Sequence, residues 1–162
     1  MKVIFLDIDG VLNVPSKNRD EFGQIFTERF VNNLSFIIAC TKAKIVISST
    51  WRYRGDQFLI DLWKNRGLPG EIIGRTIGYF NPEYYELFGE KEVVRGEEIK
   101  HWLENNSNIE SYVILDDDSD MLPEQKYNFV QTSNNINHND CADIGYGLTK
   151  ICAEKAIRIL NK

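Results

Sequence analysis

Three short runs of this chain end in residues suited to phosphoryl or metal chemistry. The first, Val3-Ile4-Phe5-Leu6, has the apolar pattern of a buried strand and stops at Asp7-Ile8-Asp9-Gly10. Side chains alternate along a strand, so in extended backbone Asp7 and Asp9 point the same way. Two carboxylates this close repel, and a hard cation such as Mg²⁺ relieves the repulsion. Gly10 lets the backbone turn away without a Cβ clash. One carboxylate then suits a nucleophile and its neighbour an acid and base. Asp and Gly are also ordinary turn residues, so a strand followed by a polar turn is the alternative reading of the pair alone.

Two further runs argue against that bland reading. Ala43-Lys44-Ile45-Val46-Ile47 leads into Ser48-Ser49-Thr50, and Ser111-Tyr112-Val113-Ile114-Leu115 leads into Asp116-Asp117-Asp118. None of these strands alternates polar with apolar, which implies a parallel sheet covered on both faces. Ligands of such sheets sit beyond the carboxyl ends of the strands, where all three polar runs fall. A buried strand ending in three acids repels itself without a cation, so Asp116 and Asp117 join Asp7 and Asp9 as candidate metal ligands.

The elements that must carry these groups follow from periodicity. Phe30, Leu34, Ile37 and Ile38 share one face of a helix after the first strand. Asp56 is expected to cap the next helix, with Phe58, Leu59, Leu62 and Trp63 inward and Gly67 closing it. Over 68–92 the pattern fails, and glycines scattered among aromatics predict a loop-rich insert with a short strand over 71–73. A helix over 96–105 carries Ile99, Trp102 and Leu103 inward. A weaker strand over 128–132 and a polar loop over 133–143 lead to a closing helix capped by Thr149. The expected fold is α/β: one Rossmann-like domain over 1–162, its mostly parallel sheet flanked by helices on both faces.

Composition fits one globular domain, with 162 residues, 43% hydrophobic and 27% charged. The net charge of −5 argues against a broad, non-specific nucleic-acid surface. Cys40, Cys141 and Cys152 are odd in number and lack metal-ligand or redox spacing, which points to a reduced setting. No signal peptide or membrane-length apolar stretch is visible, so a cytoplasmic protein without membrane contact is expected.

The order Asp7-Ile8-Asp9-Gly10-Val11-Leu12, then Ile45-Val46-Ile47-Ser48, then a basic residue opening a helix, then Ile114-Leu115-Asp116-Asp117 resembles the four motifs of haloacid dehalogenase-type (HAD) phosphohydrolases. The closer resemblance is to the small HAD domain associated with RNA repair proteins of the Swiss Army Knife type. Its tryptophan after the second motif is matched by Ser48-Ser49-Thr50-Trp51-Arg52. Its Arg-x-x-Glu-Ile-x-x-Trp-Leu pattern is matched by Arg95 to Leu103, and Gly147-Leu148-Thr149 is also similar. More distantly, Val93-Val94-Arg95 before Glu97-Glu98-Ile99 is similar to the 3′-phosphatase domain of polynucleotide kinases.

The resemblance implies a phosphoric monoester hydrolase using Mg²⁺ and an aspartyl-phosphate intermediate. Asp7 would attack phosphorus, and Asp9 would protonate the leaving alcohol and then activate water. Mg²⁺ would be held by the Asp7 carboxylate, the Asp9 carbonyl and Asp116, with Asp117 as an outer or alternative ligand. Ser48 would donate to a phosphoryl oxygen, with Ser49 or Thr50 as alternatives. Arg95 would neutralise developing charge. The family often has lysine there, which keeps Lys91 and Lys100 in view, and Asp120 competes with Asp117 as the second acid of the last motif.

Arg52 and Arg54 follow the second strand, either as contacts to an incoming phosphate or as ordinary exposed arginines. Trp51 is either core or a base-stacking platform. His101 reads as surface or packing, and His138 with Cys141 makes no zinc site. About thirty residues separate Asp9 from the second strand, and the 68–92 insert is short, so the domain is expected to be capless or minimally capped. An open site favours a phosphorylated end of a nucleic acid or nucleotide. A small phosphometabolite, a phosphoprotein or a non-enzymatic phosphate-binding role are the alternatives, and the oligomeric state is not legible.

Overall fold

The computed structural model describes residues 1–90, 93–133 and 146–162. In chain order they form β1 (Lys2–Leu6), a small hairpin of β2 (Arg19–Asp20) and β3 (Gly23–Gln24), and α1 (Glu28–Thr41). Then come β4 (Lys44–Ile47), α2 (Asp56–Asn65), β5 (Ile72–Arg75), α3 (Pro82–Phe88) and α4 (Arg95–Glu104). β6 (Ser111–Asp116), β7 (Phe129–Gln131) and α5 (Lys150–Leu160) complete the order. Five strands pair in parallel as β5-β4-β1-β6-β7.

Both faces of the sheet are buried, as its uninterrupted apolar strands require. Ile4, Leu6, Ile45, Ile47, Val113 and Leu115 pack with the apolar stripes of α1, α2 and α5. The alternate residues Val3, Phe5, Val46 and Ile114 meet Ile99 and Trp102 of α4. The Phe5 and Trp102 rings cross edge to face at 5.3 Å. The Thr149 hydroxyl accepts the Cys152 amide and starts α5, as its sequence position predicts.

Two elements differ from expectation. Gly55, at φ +92°, is the N-cap of α2, while Asp56 is its first residue and its carboxylate turns to Arg75 at 2.5 Å. The 68–92 insert is also less loose than its scattered glycines suggest. Its strand spans Ile72–Arg75 rather than 71–73, lies beside β4, and is a full member of the sheet. Tyr84 of α3 is completely buried under neighbouring rings, whereas Phe80 is 75% exposed. The 133–143 loop, with His138 and Cys141, lies largely outside the described residues, as does Lys91. No helix among the described residues is long and apolar enough to cross a membrane.

Candidate active site

Register brings the three polar strand ends together. Leu6 of β1 pairs with Ile47 of β4 on one side and with Leu115 of β6 on the other. Asp7, Ser48 and Asp116 therefore leave the sheet side by side. The ladder continues one step beyond, with the Asp7 amide on the Leu115 carbonyl at 2.9 Å and the Ser48 amide on the Leu6 carbonyl at 3.1 Å. After Asp9 the chain reverses through Gly10 at φ +77°. A Cβ at Gly10 would lie 2.4 Å from Asp117 Cγ, so glycine is needed both for the turn and for Asp117 to close over it.

Asp7, Asp116 and Asp117 each offer a carboxylate oxygen, all within 4.8 Å of one another. Asp7 and Asp116 are buried, at 4% and 0% exposure. Burial raises the Asp7 carboxyl to about 6, against the pull of Arg95 and a hydrogen bond from Ser49. Burial and then the charge of Asp7 push Asp116 up to about 8. Burial and then Asp118 raise Asp117 as well. An all-oxygen, partly enclosed set whose members raise one another's pKa values fits a hard cation such as Mg²⁺.

Arg95 supplies positive charge in the same place. Its Nη1 donates to Asp7 Oδ1 at 2.8 Å and to Asp116 Oδ2 at 2.5 Å. Burial opposes its charge, but Asp116 and Asp7 outweigh that and hold its pKa above the ordinary arginine value. The side chain reaches the acids because α4 begins at Arg95 itself. Lys100 is exposed further along the helix. Asp120 has a different task from Asp117: its Oδ2 accepts the Arg95 amide at 3.0 Å and its carbonyl accepts the Gly96 amide. It caps α4 from outside, where Val94 has no side chain to do so.

The hydroxyl beside Asp7 is that of Ser49. Ser48, the first choice from sequence, is fully buried, and its Oγ has no partner among the described residues. The two differ because alternate residues at a strand end face opposite ways, and Ser49 caps the 3-10 turn Thr50–Arg54 that folds back toward Asp7. Asp9 stands at the exposed mouth. Asn13 Nδ2 donates to its Oδ1 at 2.8 Å, and Trp51 Nε1 donates to its Oδ2 at 2.9 Å. The Trp51 ring packs on Phe26 and Phe58, as the core expectation has it, while its one polar atom donates to Asp9. Asn13 carries no sequence signal for this role beyond its i+4 spacing from Asp9.

Arg52 needs correction as a substrate contact. It is 3% exposed, and its Nη2 donates to Glu98 Oε1 at 3.0 Å and Oε2 at 2.8 Å. Arg54 is exposed, but it donates to the Phe22 carbonyl at 2.8 Å and lies over the Phe58 ring at 3.7 Å. A cleft of about 430 Å³ opens over Asp7, Asp9, Arg95 and Asp117, rimmed by Pro15 and by Gln24 of the hairpin. A larger groove of about 500 Å³ runs along β5 between α2 and α4 and shares none of these residues. Chemistry rather than size marks the first as the candidate cleft.

A parallel α/β sheet, with acids from two neighbouring strand ends under one guanidinium, defines the class of the HAD-type hydrolases. The sequence model of the HAD domain in Swiss Army Knife RNA repair proteins matches residues 3–137, and the chain belongs to that family. The matched span contains every acid and base of the cleft. No curated protein and no solved structure matches the chain. Family membership makes the domain a hydrolase of the phosphatase type acting on a phosphorylated substrate.

Proposed function

We propose that this domain is a Mg²⁺-dependent phosphomonoesterase that works through an aspartyl-phosphate on Asp7 and takes terminal phosphates of nucleic acids. The observation that carries the reading is Arg95 bridging Asp7 and Asp116 in a cleft that opens on Asp9. A phosphate entering there meets a carboxylate nucleophile, a guanidinium and the Ser49 hydroxyl together. Asp7, Asp116 and Asp117, with the Asp9 carbonyl, would hold Mg²⁺. The bound ion would offset the negative charge of carboxylates and phosphate and polarise the phosphorus.

In the first step a carboxylate oxygen of Asp7 bonds to phosphorus while the bond to the ester oxygen breaks. Asp9 gives that oxygen its proton, and the alcohol leaves. Arg95 and Ser49 donate to the equatorial oxygens as charge spreads over them. In the second step Asp9 takes a proton from water, whose oxygen bonds to phosphorus as the acyl-phosphate bond of Asp7 breaks. Inorganic phosphate departs, and both aspartates regain their starting forms. Asn13 and Trp51 hold the Asp9 carboxyl toward the mouth, where alcohol leaves and water enters.

The nucleic-acid reading rests on the RNA-repair setting named by the family and on a cleft with no domain-sized cover among the described residues. Hydrolysis of an aryl phosphate by wild type, Asp7→Asn and Asp9→Asn tests the chemistry: both substitutions should abolish Mg²⁺-dependent turnover while the fold survives. Persistent turnover in Asp7→Asn would refute the covalent step. A panel of 3′-phosphorylated oligonucleotides, free nucleotides, sugar phosphates and phosphopeptides tests the substrate. Indifference to the oligonucleotides would leave the chemistry and remove that substrate class.

A further inference from the structure

One buried ion pair ties the turn that bears Ser49 and Trp51 to the helix that bears Arg95. Arg52 lies in the 3-10 turn Thr50–Arg54, which is capped by Ser49 and carries Trp51. Its Nη1 donates to the Ser48 carbonyl at 2.6 Å, while Nη2 grips both oxygens of Glu98. Glu98 lies on α4 one turn beyond Arg95. The two side chains are only 4% and 6% exposed. One planar fork therefore spans the end of β4, the turn and the helix.

The surroundings argue against a role in stability alone. Removing two charges from water is costly, and well-packed apolar residues commonly replace such a pair without loss. Here Arg52 Nε has no partner among the described residues, nor do the buried hydroxyls of Ser48 and Thr76. Unpartnered buried polar atoms reduce what such a pair adds to stability. What the pair does supply is geometry: Ser49 and Trp51 are held on one side and Arg95 on the other, and these contact Asp7 and Asp9.

We propose that Arg52 and Glu98 are positioning residues, a buried clasp that sets the turn bearing Ser49 and Trp51 at a fixed distance from the helix bearing Arg95. Neither touches substrate. This inference rests on the proposed phosphatase reading for its catalytic consequence but not for its structural one, and the test separates the two.

The principal variant is Arg52→Met with Glu98→Leu, an apolar pair of similar volume. It is compared with wild type by thermal melting, by aryl phosphate kinetics and by the indole proton resonance of Trp51, assigned through Trp51→Phe. The folded variant should lose about tenfold or more in kcat with KM changed less than about threefold. Its Trp51 indole resonance should shift or broaden in the absence of substrate and metal. A folded variant with an unmoved indole overturns the clasp, and so does wild-type kcat. Should the double variant not fold, Arg52→Lys, which keeps the charge but not the fork, is read by the same criteria. Failure of both to fold overturns the proposal, because the pair then holds the fold rather than the site. Inactive wild-type protein would refute the phosphatase reading alone, leaving the indole resonance to judge the clasp.

Discussion

Asp9 shows how much a single hydrogen bond from a distant residue can determine. In the proposed mechanism the Asp9 carboxyl delivers a proton and then collects one, which calls for a stable direction more than for burial. Two donors from separate parts of the chain supply that direction, Asn13 from the turn after β1 and Trp51 from the turn after β4. Trp51→Phe keeps an aromatic ring against Phe26 and Phe58 and removes only the N–H. Its stability should stay within about 1 kcal/mol of wild type by denaturant titration. Its kcat on an aryl phosphate should fall about tenfold through misdirection of Asp9. An unchanged kcat would show that Asn13 suffices.

The elements around the cleft are short, and their ends do the work. Asp7 and Asp116 emerge from adjacent parallel strands in matched register, and α4 delivers Arg95 at its first residue with Asp120 capping it from another segment. Gly10 is the tightest of these junctions. Gly10→Ala places a Cβ in left-handed backbone and against the Asp117 carboxylate. A loss of about 2 kcal/mol in unfolding free energy is expected. The displaced Asp117 should also weaken Mg²⁺ binding, which isothermal titration reads directly. Full Mg²⁺ affinity in that variant would remove Asp117 from the ligand set.

Across the whole molecule, several carboxyls titrate well above their ordinary range. Asp7 is pushed to about 6 and Asp116 to about 8, each by burial first. Burial likewise raises Glu98 to about 7, although Arg52 pulls it down. The folded chain thus holds protons that the unfolded chain has already released. Such groups contribute stability that is complete below about pH 4 and is lost as pH rises through these values. The melting temperature of metal-free protein should fall between about pH 5 and pH 8. Mg²⁺ should flatten that slope, and its binding at neutral pH should release protons, seen as a buffer-dependent heat. A pH-independent melting temperature without metal would contradict the burial of these acids.

Much of this protein is legible along the chain because its signals are local. Apolar runs, helical periodicity and a terminal Thr149 fix element type and order, and a hydrophobic run that stops at an acid places that acid at a strand end. The hairpin of β2 and β3 left no such trace: two residues per strand carry no periodicity, and Arg66 holds it from a distance through Asp20 and the Gly23 and Gln24 carbonyls. The same limit applies at the site. The polar ends of apolar runs named the acids and a serine pair, and the family resemblance named the arginine. Which serine faces Asp7, whether Asp117 or Asp120 joins the acids, and that Arg52 is buried on Glu98 depend on contacts between segments dozens of residues apart. Such contacts exist only once strand register sets the segments side by side, so only the tertiary structure could decide them.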